Sequence, residues 1–296
     1  MRPKIVIAYD ATPAAADGLV LGALLAEARG ADLLLARVLP DTDSTEATER
    51  AAQAWFRTTL RETREAAAEL LGDRPFELWP LFGMPVADGI TALAADQGAE
   101  LIVFGSSHHG RIGRVLLGNA AAAACDGAPC AVAVAPPGYR RRRRLSPPVF
   151  GVAYDGSAES SAALDTAVTM ARDTGVSLRV ITVEPSGLSR SLHGHPVPVA
   201  ADLEWLSRTL AGDVEVETWR YRGDPVHILA RESERLGLLI CGSRARGPLR
   251  RVMLGSVSAA LLRSAACPVV VAPRRVLPST QAAPAAERSA IRGSTR

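Results

Sequence analysis

Short apolar runs alternate with longer amphipathic segments along the first 135 residues of the chain. A short continuous apolar run is typical of a strand buried on both faces, and an apolar position every three or four residues is typical of a helix. This alternation predicts a parallel sheet with helices on both faces. The predicted strands cover residues 4–9, 33–39, 76–82, 101–104 and 130–135, and the predicted helices cover 13–29, 46–71, 85–95 and 119–125.

The same order of elements returns after residue 148, which indicates an internal repeat. Residues 184–199 are predicted to form a long loop within this second half. The fold class predicted for the chain is α/β, with two tandem, open, five-stranded parallel sheets. The predicted strands of the second half cover residues 149–154, 178–183, 214–221, 238–241 and 269–272, and its predicted helices cover 157–172, 201–210, 226–236 and 257–263.

Composition changes sharply at two places, and these changes divide the chain. We predict a first domain at 1–138, an Arg- and Pro-rich linker at 139–148, a second domain at 149–273 and a disordered tail at 274–296. The linker carries five consecutive arginines at 140–144. We interpret this run as a solvated connector, and the alternative is contact with an anionic partner such as a phosphate-rich ligand, RNA or a membrane surface.

Charge and cysteine usage exclude several classes of function. The five linker arginines exceed the formal net charge of +3, so the rest of the chain is slightly acidic and nucleic-acid binding is not indicated. The four cysteines show no CxxC spacing, so we expect buried, reduced thiols rather than a zinc site or a redox pair. Since no signal peptide or membrane span is predicted either, we expect a soluble protein of the cytoplasm.

The stretch 238–258 carries the clearest chemistry in the chain. An apolar strand ends at Gly242, a loop with four arginines follows, and Gly255-Ser256 begins a predicted helix. The free N–H groups at a helix start favour an anion, and glycine allows the backbone to approach it closely. This arrangement suits a polyphosphate. The alternative is an ordinary helix whose serine is the N-cap, beside solvated arginines.

The spacing of Gly242, Ala245 and Gly255-Ser256 resembles the G-x2-G-x9-G-[ST] signature of ATP-binding universal stress proteins, with Ala245 in the place of the second glycine. The segments at 154–157 and 267–271 resemble the first and last strands of that family. Because both halves carry the pattern, the chain resembles a tandem member. The resemblance implies a Rossmann-like fold of the adenine nucleotide alpha hydrolase-like type, with dimerisation through the fifth strands, 131–135 and 269–272.

The resemblance also implies a set of binding residues in the second half. The implied ligand is ATP, with or without Mg²⁺, for which the sequence shows no dedicated ligand cluster. For Asp155 the alternative is a helix N-cap or a turn residue, but its place in the repeated pattern favours the ligand role. The implied contacts are Tyr154, Asp155 and Val183 with adenine and ribose; Cys241, Gly242, Ala245 and Arg246 along the path to the phosphates; and Gly255, Ser256, Val257 and Ser258 with the phosphates.

The first half carries a degraded version of the same pattern. His108 replaces the second glycine of the signature, and Asn119 replaces its final Ser or Thr. We therefore expect this half to bind ATP weakly or not at all. Its remaining matching residues are Tyr9, Asp10, Val38, Gly105 and Gly118. The pair His108-His109 follows the fourth predicted strand, where a histidine could contact phosphate, and the pair His193 and His195 could bind a metal only with partners that the sequence does not show. For both pairs we favour surface histidines without a role.

Three classes of function remain open. The favoured one is a nucleotide-binding regulatory protein of the universal stress type, acting as a homodimer or an internal pseudo-dimer. The second is an ATP-using enzyme of the wider nucleotide-binding α/β group, but neither half has an HxGH-like pair or an SGG-type loop after its first strand. Slow ATP hydrolysis is the most we expect. The third, which Ala245 leaves open, is a protein of this fold that only dimerises.

Overall fold

The computed structural model describes residues 2–40, 46–106, 118–142, 147–184, 214–243 and 254–273, with residues 46–50 described as backbone only. Along the described residues the elements follow the chain order that the sequence predicts. The strands are β1 Lys4–Ala8, β2 Asp32–Leu39, β3 Glu77–Phe82, β4 Leu101–Gly105, β5 Ala131–Ala135, β6 Val149–Ala153, β7 Ser177–Glu184, β8 Val216–Arg222, β9 Leu238–Gly242 and β10 Val269–Ala272. The helices are α1 Pro13–Arg29, α2 Glu46–Leu71, α3 Val86–Asp96, α4 Asn119–Cys125, α5 Ala158–Thr174, α6 Pro225–Glu232 and α7 Ser256–Ser264.

Local capping sets the ends of the first helix in each half. The Thr12 side chain accepts a hydrogen bond from the N–H of Ala15 at the start of α1, and the helix ends at Gly30, whose φ is 61°. Ser157 does the same for α5, which ends at Gly175 with a φ of 65°. Glycine suits these ends because it adopts a left-handed conformation without a Cβ clash. Both helices therefore begin and end where their sequences indicate.

The ten strands form one continuous sheet in the order β3-β2-β1-β4-β5-β10-β9-β6-β7-β8. Pairing is parallel within each half, and β5 pairs antiparallel with β10, with Ala133 opposite Val270. The two fifth strands thus pair within the chain, and the two predicted sheets are halves of one mixed sheet. Because the junction is antiparallel, the C-terminal strand ends of the first half and those of the second lie at opposite edges of this sheet.

Helices cover both faces of the sheet, and strand residues alternate between the two faces. On one face, α1, α2 and α5 pack against side chains such as Ile5, Ile7 and Phe150. On the other, α3, α4, α6 and α7 pack against side chains such as Val6 and Ile102. The buried residues are mainly Ala, Val, Leu and Ile, as the 4% aromatic content predicts. The apolar pattern along the chain therefore does form a two-faced core.

The segment between the halves is only partly what the sequence suggests. Tyr139 is buried, and Tyr139–Arg141 is a single 3₁₀ turn. The carboxylate of Asp17, which is 2% exposed on α1, accepts the backbone N–H groups of Gly138 and Arg140, each at 2.8 Å. The Arg140 guanidinium lies 3.1 Å from the same carboxylate. The interpretation of the arginine run as a solvated connector is therefore wrong for Arg140, whereas Arg141 and Arg142 are exposed and residues 143–146 lie outside the described residues.

One predicted helix is shorter than expected. The helix predicted at 226–236 ends at Glu232 and continues as a 3₁₀ turn, Ser233–Arg235. The Ser233 hydroxyl donates to the carbonyl of Ala230 and accepts from the N–H of Ala266, so a tertiary contact competes with the helix. Every other predicted bound that falls on described residues agrees within two residues. The predicted helix 201–210, the long loop and the tail lie outside the described residues.

The four cysteines are free and buried, as the sequence predicts. Burial is the main cause that raises the pKa of Cys125, Cys130 and Cys241 to about 12, and burial also raises the pKa of Cys267. All four are therefore neutral thiols at ordinary pH. In the part of the chain that the structure describes, no helix combines the length and the apolarity needed to cross a membrane.

Candidate functional site

The candidate site of the second half lies where its strand order reverses. β6 lies between β7 and β9, with Ala153 opposite Ile181 and Val152 opposite Ile240. In open α/β sheets a ligand crevice forms at such a point, beyond the C-terminal ends of the strands. Asp155 follows β6, and Gly242 ends β9. The topology therefore brings the predicted residues of three separate segments to one edge.

The turn after β6 has a defined structure of its own. The N–H of Tyr154 donates to the carbonyl of Ile181 at 2.9 Å, which extends the pairing beyond the strand. Asp155 is exposed, and its Oδ1 accepts from the N–H of Ser157 at 3.0 Å. Gly156 between them has a φ of 81°. Asp155 is therefore a turn residue, which was one of the alternatives. Its carboxylate also lies at the solvent-facing edge, where a ligand could reach it. Val183 is 8% exposed near the end of β7.

Gly242 has a packing reason to be glycine. A Cβ at this position would lie 2.6 Å from the carbonyl oxygen of Glu159, in the first turn of α5. Gly105 repeats the contact in the first half, where a Cβ would lie 1.7 Å from the carbonyl oxygen of Ala14. Both glycines therefore let the end of a strand approach the start of a helix. The sequence motif assigned them to a phosphate path and did not indicate this second requirement.

The N-terminus of α7 faces the same edge. Gly255 is its N-cap, with a φ of −75° that any residue can adopt, and Ser256 is exposed at the first helical position. Ser258 is 2% exposed, and its hydroxyl accepts from the N–H of Gly255 at 2.9 Å and donates to the Gly255 carbonyl at 3.1 Å. The Ser258 hydroxyl therefore caps the helix, while the exposed Ser256 hydroxyl is the better placed for an anion. Val257 is half-buried and packs on the core.

The loop between β9 and α7, which carries the predicted path to the phosphates, is described only at its two ends. Ala245 and Arg246 lie outside the described residues, as do the other three arginines of that loop. Cys241 is 3% exposed inside β9. Ser243, which is not among the predicted site residues, is 1% exposed, and its hydroxyl has no hydrogen-bond partner among the described residues. Its burial beside the path is not evident from the motif spacing.

The first half places its matching residues in the same way. The Oδ1 of Asp10 accepts from the backbone N–H of Thr12 at 3.0 Å and from its hydroxyl at 2.5 Å, so this carboxylate also forms a turn after its strand. Tyr9 is buried; burial first, and then the charges of Asp10 and Glu69, raise its pKa to about 12. Val38 is half-buried near the end of β2.

The helix start of the first half matches that of the second in backbone geometry. Gly118 is the N-cap of α4, with φ −75° and ψ 160°, against φ −75° and ψ 164° at Gly255. Asn119 is exposed at the first helical position, where the second half has Ser256. His108, His109, His193 and His195 lie outside the described residues.

One cavity and the possible metal ligands among the described residues were compared with this site. A cavity of about 110 Å³ lies between the inter-half segment and the loops before β9 and β10, lined by residues such as Pro136, Tyr139, Gly237 and Pro268. It lies at the edge opposite the second half's candidate site and is smaller than the roughly 300 Å³ at which ligand pockets begin. Among the residues that the structure describes, no group of three or more His, Cys, Asp or Glu could hold a metal ion.

Comparison with known proteins places this architecture in a family. The sequence matches the universal stress protein family twice, over residues 1–136 and 149–273. It is 33% identical over 207 residues to a universal stress protein of Mycobacterium tuberculosis, covering 65% of this chain and 67% of that protein. The fold is similar to that of a universal stress protein from Archaeoglobus fulgidus, with a TM-score of 0.66, 20% identity and coverage of 93% of this chain and 100% of the other.

A second solved structure, of a protein from Pseudomonas aeruginosa described as a putative universal stress protein, has a TM-score of 0.61 and 16% identity, covering 92% of this chain and 93% of the other. Identities this low establish the fold alone. The two sequence matches, in contrast, cover most of the chain, one for each half of the ten-stranded sheet. The chain is therefore a tandem member of the universal stress protein family.

Proposed function

We propose that this protein binds ATP, mainly in its C-terminal half, and serves as a regulatory protein of the cytoplasm rather than as an enzyme. The observation that supports this most is the meeting of Asp155, Gly242 and the N-terminus of α7 at the reversal of strand order. A nucleotide lying across this edge would have a carboxylate at one end and a helix N-terminus at the other. The domain boundaries proposed from the sequence place this whole site within 149–273.

The ranking of the two halves follows from two differences. Ser256 offers a hydroxyl where Asn119 offers an amide of different shape. Ala245 adds one methyl to the glycine of the signature, whereas His108 adds an imidazole in a place where the backbone must approach phosphate. If position 245 needs a left-handed backbone, alanine costs about 1 kcal/mol, which is less than a tenfold loss of affinity. These differences support stronger binding by the second half.

The proposal is tested on the full chain, because β5 and β10 pair and a separated half would expose an apolar edge strand. The purified protein is denatured, and any released nucleotide is identified by mass spectrometry. Titration calorimetry then compares ATP, ADP, cAMP and GTP, each with Mg²⁺ and with a chelator. Saturable binding that prefers adenine nucleotides supports the proposal. If the protein neither retains nor binds any of the four nucleotides, the alternative function is supported, in which a protein of this fold acts only by dimerisation or interaction.

A further inference from the structure

The two halves meet next to the candidate phosphate site of the second half. The Oδ1 of Asp126, at the C-terminal end of α4, accepts a hydrogen bond from the backbone N–H of Leu254 at 3.3 Å. Leu254 immediately precedes Gly255, the N-cap of α7. A side chain of the first half therefore holds the backbone through which the chain enters the second half's anion-binding helix.

This contact rests on a packed interface. Leu254 and Val257 pack against the apolar cluster that also contains Ala124 and Cys125 of α4. The same cluster contains Cys241 of β9. The end of α4 thus belongs to the packed cluster that also includes β9 and the start of α7, the two elements that flank the path to the phosphates.

The second half has no carboxylate at the position that corresponds to Asp126. Both halves have the same number of residues from the helix-start glycine to the cysteine before the fifth strand, so Asp126 of α4 corresponds to Arg263 of α7. A guanidinium has no acceptor for a backbone N–H. The residue that corresponds to Leu254 is Leu117, which lies outside the described residues. The carboxylate of Asp126 is therefore a difference between the two halves at corresponding positions.

We infer that Asp126 is a positioning residue for nucleotide binding by the second half, an inference that rests on the proposed function. By holding Leu254, its carboxylate orders the free N–H groups that follow at the start of α7. The same charge also opposes phosphate. Asp126 is exposed, however, so its repulsion is screened by salt, whereas the ordering of adjacent backbone is local. The ordering effect should therefore exceed the repulsion.

Three variants of the full chain separate these effects. Asp126→Ala removes both the acceptor and the charge, and ATP binding should weaken about three- to tenfold, the range expected for the loss of one ordinary, solvent-exposed hydrogen bond. Asp126→Asn removes the charge but keeps a carbonyl acceptor, so its affinity should stay near that of the wild type. Asp73→Ala removes an exposed carboxylate from a loop of the first half and serves as the control for charge.

Affinity is measured by calorimetry, and exchange of the Leu254 amide is measured by hydrogen exchange without nucleotide. Asp126→Ala should accelerate that exchange, whereas Asp126→Asn and Asp73→Ala should not. Unchanged exchange in Asp126→Ala overturns the inference. So does tighter ATP binding by both Asp126 variants, because repulsion would then be the larger effect. A wild-type protein that binds no ATP counts against the proposed function instead, since the exchange result does not depend on nucleotide.

Discussion

Replacing Asp17 with alanine should destabilise the protein more than any other single change in the inter-half segment or its contacts. Asp17 is 2% exposed, and its two carboxylate oxygens accept the backbone N–H groups of Gly138 and Arg140 and contact the Arg140 guanidinium. In Asp17→Ala both N–H groups lose their acceptor. A hydrogen bond to a charged group contributes about 1.5–3 kcal/mol, so we expect a loss of about 3–5 kcal/mol.

Two further variants show how much each contact of Asp17 contributes to this loss of stability. Asp17→Asn keeps one carbonyl oxygen, so it should recover about half of the loss. In Arg140→Ala the carboxylate still accepts both backbone N–H groups, and the Arg140 side chain is 33% exposed. Since a partly exposed ion pair is worth about 1 kcal/mol, the loss should be correspondingly small. The expected order of destabilisation is therefore Asp17→Ala, then Asp17→Asn, then Arg140→Ala.

Guanidinium-induced unfolding of the full chain, followed by circular dichroism, measures these differences. Thermal melting supplies a second measure: a loss of about 3 kcal/mol should lower Tm by roughly 6–12 °C, if the chain behaves like other domains of 150–250 residues. A loss below about 0.5 kcal/mol in Asp17→Ala would place it with ordinary surface changes and refute the reasoning. An Arg140→Ala variant as unstable as Asp17→Ala would show that the ion pair, rather than the backbone contacts, holds the segment.

Two further predictions concern packing and pH. Gly105→Ala puts a Cβ 1.7 Å from the carbonyl oxygen of Ala14, and Gly242→Ala puts one 2.6 Å from the carbonyl oxygen of Glu159. Both changes should lower the free energy of unfolding, Gly105→Ala by about 3 kcal/mol and Gly242→Ala by less. An unchanged melting temperature would show that these glycines serve a ligand alone. Burial raises the pKa of Cys241 from 9.0 to about 12. The stability that the neutral Cys241 thiol contributes is therefore fully present below pH 9 and is lost as the pH rises from 9 to 12. Cys241→Ala should consequently reduce the decline of the unfolding free energy at alkaline pH. A decline identical to that of the wild type would contradict this prediction.

Local signals were sufficient to predict most elements of the fold. Thr12 and Ser157 precede their helices as caps, and Gly30 and Gly175 end them, so the chemistry that sets each boundary lies within a few residues. The pairing of β5 with β10 could also be anticipated, because two short apolar edge strands require cover. The length predicted for α6 was too great because the end of this helix depends on a hydrogen bond between Ser233 and Ala266, which are far apart in sequence.

The parts that the sequence did not reveal are long-range contacts between polar groups. Asp17 and Arg140 are 123 residues apart, and Asp126 and Leu254 are 128 residues apart. No periodicity or motif connects such pairs. Gly242 illustrates a different difficulty, because packing against α5 and approach to a phosphate both require glycine, and the motif spacing alone does not distinguish them. The structure supplies the packing reason.

The central claim, that ATP binds mainly at the start of α7, is tested most directly by one pair of matched variants. Gly255 and Gly118 are both helix N-caps with nearly identical backbone angles, so Gly255→Val and Gly118→Val make the same change in the two halves. Thermal melting first establishes that both variants fold, and calorimetry with ATP follows. The account predicts that Gly255→Val loses binding while Gly118→Val keeps the wild-type affinity. Binding that persists in Gly255→Val and disappears in Gly118→Val would contradict it.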